Sequence, residues 1–373
     1  MVSATRRRSA SRIGDTARDA TNLRSHSIGF SANTLMRKIL AVLCVIFFAL
    51  LLPAAERTWE PLPVPLSNNA VATAKVGHRL YMFSFMGIGP RKTWDAISNQ
   101  TFAYNVDSGK WDEWRPVPGR DVVYRMGGYT VDGRGEETSV HSVEVLLPSK
   151  GIWYRAGDMP MSLDDSVLGV YRDRYIYTVS GWSQNNAVSN VQVYDSAKDK
   201  WQQATPIPGT PVFGHAGGMV NDTIVYVDGA YKNPAGRSPK YVASDECWMG
   251  KVDSHDITRI KWSKLPNHPG KARYRIAAGA SEHDQKIYFS GGTDNPYNFD
   301  GIGFDGKPAE PSLVTFAWNL KTGKWEVINE KTPNPTMDNR GLLVTPYGLI
   351  RIGGMEAGQK VTAKVSAIPR SAK

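Results

Sequence analysis

The sequence has little cysteine: two residues in 373, far apart and in segments of different character. Cys44 stands inside an apolar run near the N-terminus, and Cys247 lies in the second half of the chain. Disulfide frameworks and zinc sites need several cysteines at short spacings. A mature chain retaining Cys247 alone forms no intramolecular disulfide, so its stability must come from a packed apolar core.

Nucleotide-binding and calcium-binding motifs are also missing. GIGFDG, at residues 301–306, has spaced glycines but does not lead from a strand into a helix, as a dinucleotide fingerprint would. A calcium loop centred on Gly301 would place Pro296 and Lys307 at positions that require oxygen ligands. We therefore predict no metal and no cofactor.

Glycine, proline and aromatic residues are plentiful. The chain has 35 Gly, 23 Pro, 11 Trp and 16 Tyr, and long helical patterns are few. Such an aromatic content supports a packed core and excludes a disordered chain. Many turn residues between short apolar runs indicate an all-β protein.

Residues 1–55 differ from the rest of the chain. They carry eight Lys/Arg and two acids, and they end in the uncharged run ILAVLCVIFFALLLPAA, residues 39–55. A basic region, an apolar stretch and a small-residue exit are typical of a signal peptide, with cleavage after Ala55. We thus predict a leader over 1–55, a folded domain over 56–373, and a periplasmic or secreted location. An uncleaved leader would instead anchor the protein to a membrane.

Two further points concern this leader. MRKILAVLCVIFFALLLPAA, from Met36, is a compact signal peptide by itself, so Met1 and Met36 are alternative starts. The formal net charge of +10 falls to +4 when the leader is set aside. The basic character therefore belongs largely to the leader, and we predict no binding to nucleic acid.

The remaining sequence repeats. A polar turn followed by tryptophan recurs six times at spacings of 42 to 63 residues, at Trp59, Trp111, Trp153, Trp201, Trp262 and Trp325. Between them lie short β-rich runs that end at glycine, such as YIYTVSG, IVYVDG, KIYFSGG and LIRIGG. A period near 50 residues with glycine after the second strand predicts the blades of a β-propeller.

This pattern resembles the Kelch repeat, in which an apolar-Tyr strand, a glycine pair, Tyr-Asp and Trp follow one another. The resemblance covers residues 56–373 and implies a six-bladed propeller. The last glycine pair, Gly353–Gly354, is followed by a single strand, so we expect the N-terminal strand RTWEPL to complete the last blade and close the ring. Blade two departs from the pattern, because about fourteen residues separate Trp111 from VVYRMGG and leave little room for an innermost strand.

Antiparallel strands a to d, numbered outward from the axis, place the b–c and d–a loops on one face. The long loops fall on that face, including SGGTDNPYNFDGIGFDGKPAEPS, residues 290–312, which follows strand b of blade five. The d–a segments carry polar residues just before each inner strand: Asn68, Asn69, Asp164, Asp165, His215, Arg273, Tyr274, Arg275, Asp338, Asn339 and Arg340. Polar loops over a rigid scaffold are where function usually lies.

We predict that these residues converge on a sugar site, since aromatic faces and hydrogen-bonding Arg, Asn and Asp suit a carbohydrate. The candidate catalytic residues are Asp165, His215 and Asp228. The candidate ligand-binding residues are Tyr129, Trp182, Arg237, Arg275, Asp294, Asn295 and Arg340. Each has a plain structural alternative: a buried histidine bonded to a backbone carbonyl, an interblade ion pair, or a turn-capping aspartate.

Two groups of enzymes contain this repeat, and each suggests an activity for this chain. Galactose oxidases need a copper site of paired tyrosines and histidines, which the scattered histidines here do not supply. Bacterial sialic acid mutarotases are secreted six-bladed propellers, and the resemblance implies a Glu directly after the blade-four glycine and an Arg about six residues on. Here Gly229 matches and Arg237 lies near the arginine position, but Ala230 stands at the Glu position, with Asp228 as a substitute.

The sequence therefore predicts an exported Kelch-type propeller that binds or processes a carbohydrate. If it is an enzyme, it is a sugar mutarotase or epimerase. The alternative is a non-catalytic propeller that binds a protein or peptide on the same loop face. A deep pocket with carboxylate and arginine together would favour the sugar, and a broad shallow rim would favour a protein partner.

Overall fold

The computed structural model describes residues 2–6, 57–111 and 121–370, with the backbone alone for residues 2–6 and 121. The chain forms two compact units, residues 1–7 with 60–373 and residues 8–59, of which 57–59 are described. The apolar run 39–55 and the alternative start at Met36 lie outside the described residues, so the leader stays a prediction. Within the described ranges, no helix is long and apolar enough to cross a membrane.

The described residues form strands and two short 3-10 helices, Trp94–Ala96 and Ala357–Gln359. The strands are β1 (Val2–Arg6), β2 (Ala70–Val76), β3 (Arg79–Ile88), β4 (Ile97–Asn105), β5 (Lys110–Trp111), β6 (Asp121–Met126), β7 (Tyr129–Val131), β8 (Glu137–Ser139), β9 (Val143–Leu147), β10 (Ile152–Arg155), β11 (Val167–Tyr171), β12 (Tyr175–Val179), β13 (Trp182–Ser183), β14 (Asn186–Ala187), β15 (Val191–Asp195), β16 (Lys200–Ala204), β17 (Ala216–Val220), β18 (Thr223–Val227), β19 (Ala230–Lys232), β20 (Tyr241–Ala243), β21 (Cys247–Val252), β22 (Ile260–Lys264), β23 (Ala277–Ser281), β24 (Lys286–Ser290), β25 (Thr315–Asn319), β26 (Lys324–Asn329), β27 (Leu343–Thr345), β28 (Gly348–Ile352), β29 (Met355–Glu356), β30 (Lys360–Val361) and β31 (Val365–Ile368).

Six antiparallel sheets make the blades of a β-propeller, as the sequence predicts. Their orders from the axis outward are β2-β3-β4-β5, β1-β6-β9-β10, β11-β12-β15-β16, β17-β18-β21-β22, β23-β24-β25-β26 and β27-β28-β31. Four small hairpins, β7-β8, β13-β14, β19-β20 and β29-β30, stand on the b–c loops of blades two, three, four and six. The long loop 290–312 joins β24 to β25 and is therefore a b–c loop, as expected.

The apolar core lies between adjacent blades. The second strand of a blade is apolar on both faces, because a neighbouring blade packs on each side. One cluster joins Val179 and Val193 of blade three to Ile224 and Tyr226 of blade four. This packing explains why the b strands read as continuous runs of apolar and aromatic residues rather than as alternating ones.

Blade two obtains its innermost strand from the start of the chain. β1 pairs antiparallel with β6, with Val2 opposite Arg125 and Arg6 opposite Asp121. The local sequence before β6 is too short to supply this strand, which is the gap noted in the repeat. β1 lies within the predicted leader. Cleavage after Ala55 would remove it, so a mature chain that has lost the leader cannot keep this strand.

Glycine at the end of the b strand couples each blade to the next. A glycine just after this strand, the second of a pair in blades two, five and six, donates its N–H to a carbonyl of the following blade in five places: Gly128 to Leu163, Gly181 to Val212, Gly229 to Arg273, Gly292 to Thr336 and Gly354 to Leu66. At the first glycine a side chain would collide with the neighbour, because a Cβ on Gly291 would lie 2.1 Å from the Thr336 carbonyl oxygen. The repeated glycines are therefore required where blades meet, as predicted.

The outer-strand tryptophans also bridge blades. The indole N–H of Trp201 donates to the Gly157 carbonyl, that of Trp262 to Thr205, and that of Trp325 to Pro266, at 2.8, 3.3 and 2.8 Å. In each pair the acceptor follows the outer strand of the preceding blade. The recurrence of tryptophan is thus a property of blade packing.

The two ends of the ring meet through backbone contacts. Leu62 N donates to Ala363 O at 2.7 Å, and Gly354 N donates to Leu66 O at 2.7 Å. Blade six has three strands among the described residues, and no strand lies within residues 57–66. Closure by an N-terminal strand paired to β31 therefore stays a prediction.

Candidate functional site

The d–a loops place one residue of each of five blades in the left-handed backbone region beside the propeller axis. We call these residues the axial crown: Asn68, Asp165, Gly214, Arg275 and Asp338, with φ between 50° and 62°. The backbone bonds one to the next, since Gly214 N donates to Asp165 O, Arg275 N to Gly214 O and Asn68 N to Asp338 O. Fixing the backbone in this way allows the side chains to serve a site.

A cavity of about 520 Å³ lies along the axis on this face. Its walls are the inner strands, the crown and the second strand of blade two. This volume is within the range of small-molecule sites in proteins. The polar side chains that line it are Asn68, Arg125, Tyr129, Glu144, Asp164, Asp165, His215, Arg275, Asn339 and Arg340, together with Thr130, Ser142 and Ser166.

Asp165 is the centre of an ion-pair network inside this cavity. Its carboxylate lies 2.6 Å from Arg340 Nη2 and 3.4 Å from Arg275 Nη2. Burial opposes ionisation, yet Arg340 and Arg275 hold the pKa of Asp165 below its ordinary value. Arg275 also contacts Asp338 Oδ1 at 3.1 Å, so the network links blades three, five and six.

Polar groups of blades one and two extend this network. Asn68 accepts a hydrogen bond from Arg340 Nε and donates its own amide N–H to the Tyr129 hydroxyl at 2.8 Å. Arg125 of blade two is paired with Glu144 at 3.1 Å. With His215 of blade four, all six blades therefore contribute polar side chains to one site.

Asp164, the neighbour of Asp165, is in the opposite protonation state. It accepts a hydrogen bond from Ser139 Oγ at 2.6 Å and is 7% exposed. Burial, and next the negative charge of Asp165, raise the pKa of Asp164 to about 8. Two adjacent carboxyl groups with separated pKa values are typical of an acid paired with a fixed anion.

His215 faces the cavity as a neutral imidazole. Its Nε2 lies 2.9 Å from the Val179 carbonyl oxygen, which accepts a hydrogen bond and so fixes the proton on Nε2. Burial lowers the pKa of His215 to about 4. Its Nδ1 atom has no hydrogen-bond partner among the described residues and is left as an acceptor.

Asp228 lies outside the cavity lining and is buried elsewhere. Its carboxylate lies 2.7 Å from His268 Nε2 and accepts a hydrogen bond from the Arg273 backbone N–H at 3.0 Å. Burial raises the pKa of Asp228, against the opposing effect of His268. The contacts of Asp228 with His268 and Arg273 thus link blades four and five. They account for an acid at that position.

Four other predicted ligand-binding residues are not brought to the cavity. Arg237 is exposed on the loop between β19 and β20. Asp294 forms an ion pair with Lys271 at the surface, and Asn295 bonds to Asp305 within the long loop. The Trp182 ring packs edge-on against Phe213 and Tyr241.

The long loop reaches the site through its backbone instead. Thr293 pairs with Tyr274 of the same blade, as expected for the inner rim. Further along, the Asn298 carbonyl accepts a hydrogen bond from Arg275 Nη1 at 2.6 Å. Lys92 Nζ holds the loop at the Asp300 carbonyl, 2.9 Å away. The loop therefore contacts the ion-pair network through its backbone, and its acidic side chains have other partners.

Asn68, Asp164 and Asp338 belong to the polar residues predicted to converge on the site, but not to the candidate catalytic or ligand-binding residues. All three stand in the polar d–a segments, two of them at crown positions. Asp164 stands one residue before a crown position, and Asn68 and Asp338 stand at crown positions. This shared alignment across the blades is the sequence signal that could have selected them.

Comparison with known proteins agrees with the fold and the repeat. No family model matches the chain. It is 29% identical to N-acetylneuraminate epimerase 1 of Escherichia coli O6:H1 over 252 residues, which span 65% of this chain and 60% of that relative. It is 23% identical to N-acetylneuraminate epimerase of Salmonella arizonae, covering 83% of this chain and 89% of the relative. Kelch-like protein 15 of Gallus gallus is 28% identical over 109 residues, 29% of this chain and 22% of its own length. The solved structure of YjhT superposes with a TM-score of 0.62 at 17% identity, covering 82% of this chain and 95% of that one.

This chain is a six-bladed β-propeller whose repeats resemble the Kelch repeat. It resembles the N-acetylneuraminate epimerases in sequence over most of its length.

The Kelch propeller departs from the implied mutarotase pattern in blade four. Ala230 stands at the expected Glu position and is fully buried at the start of β19, and Arg237 is exposed. Blade four contributes His215 to the cavity, but no carboxylate. The carboxylates of this propeller's cavity come from blades two and three, at Glu144, Asp164 and Asp165.

Proposed function

We propose that the axial cavity binds a sugar and that the protein catalyses its mutarotation or epimerisation. The observation that carries the proposal is the pair Asp164 and Asp165, one carboxyl protonated near neutral pH and the other held ionised, in one cavity with the neutral His215. The similarity to N-acetylneuraminate epimerases supports the same class of reaction.

The chemistry of anomer exchange fits these groups. A base removes the proton of the anomeric hydroxyl, the bond between the anomeric carbon and the ring oxygen breaks, and an acid protonates that oxygen. Asp164 supplies the acid, because its carboxyl retains a proton up to a pH of about 8. His215, a neutral imidazole in the cavity lining, is the proposed acceptor of the hydroxyl proton. Closing the ring on the other face of the carbonyl returns both protons.

Asp165 and its arginines have a positioning role in this proposal. A carboxylate clamped by two guanidinium groups is a poor base, since both cations favour its charged form. Its position beside Asp164 keeps that neighbour protonated, because two adjacent negative charges repel. The Asn68 and Tyr129 side chains supply further hydrogen-bonding groups for sugar hydroxyls.

The test is a measurement of anomer exchange by NMR. Freshly dissolved single anomers of a sugar panel, including N-acetylneuraminate, are followed with the purified protein and without it. We expect faster equilibration with the protein, and a return to the spontaneous rate with Asp164→Asn. Unchanged rates for every sugar, combined with no thermal shift by any sugar, would favour the alternative of a protein or peptide partner.

A further inference from the structure

The charges of the axial cavity identify a feature that a ligand must match. Among the described residues that line it, three are cations, Arg125, Arg275 and Arg340, and none is a lysine. In sugar sites that accept a carboxylate, an arginine usually forms a bidentate pair with that carboxylate. The state of these three arginines therefore decides whether the cavity suits an anionic sugar.

Each of the three arginines is already paired with a carboxylate of the protein. Arg340 contacts Asp165, and Arg275 contacts both Asp165 and Asp338. Arg275 and its two carboxylate partners have side chains that are at most 7% exposed, so water screens these pairs little. Arg125 contacts Glu144 at 3.1 Å in a half-buried pair. Each arginine of the lining that the structure describes therefore already has a protein counter-ion.

A ligand carboxylate would meet acids as well as arginines. It would lie near Asp165, whose pKa its two arginines hold low, and near Asp164, whose pKa is raised by burial and next by the charge of Asp165. To bind Arg275 or Arg340 it would have to displace Asp165 or Asp338 and leave a buried acid without its cation. Both routes are costly, because an unpaired buried charge is strongly destabilising.

The same groups suit hydroxyls. Arg340 Nη2 already contacts Asp165, while Arg275 Nε and His215 Nδ1 are buried atoms without a hydrogen-bond partner among the described residues. The Asp164 carboxyl and the Tyr129 hydroxyl add groups that both donate and accept. A sugar hydroxyl donates and accepts at once, so it matches an alternation of donors and acceptors with no net charge.

We propose that the cavity selects an uncharged sugar and discriminates against a sugar that bears a carboxylate. This inference rests on the proposed function, since it names the substrate class of the same site. It sets this protein apart from relatives named for N-acetylneuraminate, which carries a carboxylate.

The experiment compares pairs of sugars that share a ring and differ in whether they bear a carboxylate. Glucose with glucuronate and galactose with galacturonate keep the ring stereochemistry and exchange a hydroxymethyl group for a carboxylate. N-acetylmannosamine and N-acetylneuraminate extend the series. Affinities are measured with the full chain by saturation-transfer NMR and by thermal shift at constant ionic strength. For each pair that binds, we expect the neutral sugar to bind at least about tenfold more tightly than the corresponding acid.

Two variants make the test specific to charge. Asp165→Asn releases one carboxylate from Arg275 and Arg340, and it should raise the affinity for the acidic member at least about tenfold. If Asp165→Asn fails to fold, Glu144→Gln releases Arg125 in a partly exposed pair and should change the preference in the same direction. Gln192→Ala, which lies outside the lining, is the control and should leave the preference unchanged.

Tighter binding of galacturonate, glucuronate or N-acetylneuraminate by the unchanged protein would overturn the proposal while leaving the sugar function intact. An unchanged preference in both charge variants would also overturn it. Absence of binding by every sugar of either charge would overturn the proposed function itself, and this substrate class with it.

Discussion

Arg275 Nη1 lies 3.1 Å from Asp338 Oδ1, and the Asp338 side chain is fully buried. The two residues come from crown positions of neighbouring blades, so a single ion pair joins blade five to blade six at the axis. Asp338 Oδ2 has no hydrogen-bond partner among the described residues, which leaves Arg275 as the main compensation of its charge.

Arg275→Met should therefore reduce stability more than it reduces binding. It leaves the buried Asp338 without a cation and removes one of the two cations that pair with Asp165. The expected cost is roughly 3–5 kcal/mol in the free energy of unfolding. Urea denaturation measures this. Arg237→Met, at an exposed loop position, is the matched control and should change the free energy by less than about 0.5 kcal/mol. Equal stability of the two variants would show that the network is dispensable.

Asp164 should give the activity a dependence on pH. Its raised pKa predicts that the rate of anomer exchange falls as pH rises through about 8, because the acid loses its proton. Asp164→Asn should reduce the rate at least about 100-fold and remove this decline. Rates measured by NMR on both sides of pH 8 test both points. A variant with the original pH profile would exclude Asp164 as the acid.

The same carboxyl should also affect stability. Folding raises the pKa of Asp164 from 3.8 to about 8, so its protonated form stabilises the fold fully below the lower value. This contribution is lost as pH rises through that interval. The difference in unfolding free energy between the unchanged protein and Asp164→Asn should therefore shift against the unchanged protein from acid to neutral pH. A constant difference across that range would contradict the assignment.

Asp228 should behave as a structural residue. Asp228→Asn keeps the shape and tolerates the left-handed backbone at this position, where φ is 61°. It weakens the contact with His268, and we expect a loss of roughly 1–3 kcal/mol in unfolding free energy with unchanged sugar affinity. Thermal unfolding and ligand titration separate the two effects. A loss of sugar affinity in a fully folded Asp228→Asn variant would show that Asp228 belongs to the sugar site.

Removal of the first residues tests the origin of blade two's inner strand. A chain that starts at residue 56 lacks β1 and leaves the inner edge of β6 unpaired. Each lost backbone hydrogen bond costs about 1 kcal/mol, so we expect a decrease of roughly 2–5 kcal/mol in the free energy of unfolding relative to the full chain. Denaturation of both chains measures it. Equal stability of the two chains would show that the fold does not need β1. Cleavage of the leader requires that result.

The repeat, the glycines and the loop face could be predicted from the sequence because they depend on local spacing. The same reasoning brought Asp165, His215, Arg275, Arg340 and Tyr129 to one cavity, since every d–a loop approaches the axis. It could not show that the arginines are paired with aspartates of other blades. Such contacts join residues more than sixty positions apart, and spacing carries no information about them.

The residues that missed the cavity have a common physical cause. Asp294 and Asn295 belong to a long loop, and its course depends on its own hydrogen bonds and on Lys92 rather than on strand geometry. Trp182 is near the axis but finds an aromatic neighbour in Phe213 that buries it better. The strand that completes blade two comes from about 115 residues earlier, and no local pattern announces it.

The axial crown has a consequence for how such a protein changes its specificity. Its backbone fixes where each side chain stands, but Asp165, Arg275 and Asp338 share one buried ion-pair network, so a change at one of them leaves a partner's charge uncompensated. A new ligand preference at these three positions therefore requires coupled substitutions. Blade four takes no part in such changes, since a Cβ on Gly214 would lie 2.2 Å from the Tyr274 ring. Divergence of this site should therefore proceed through Asn68, Asp165, Arg275 and Asp338, while Gly214 stays constant.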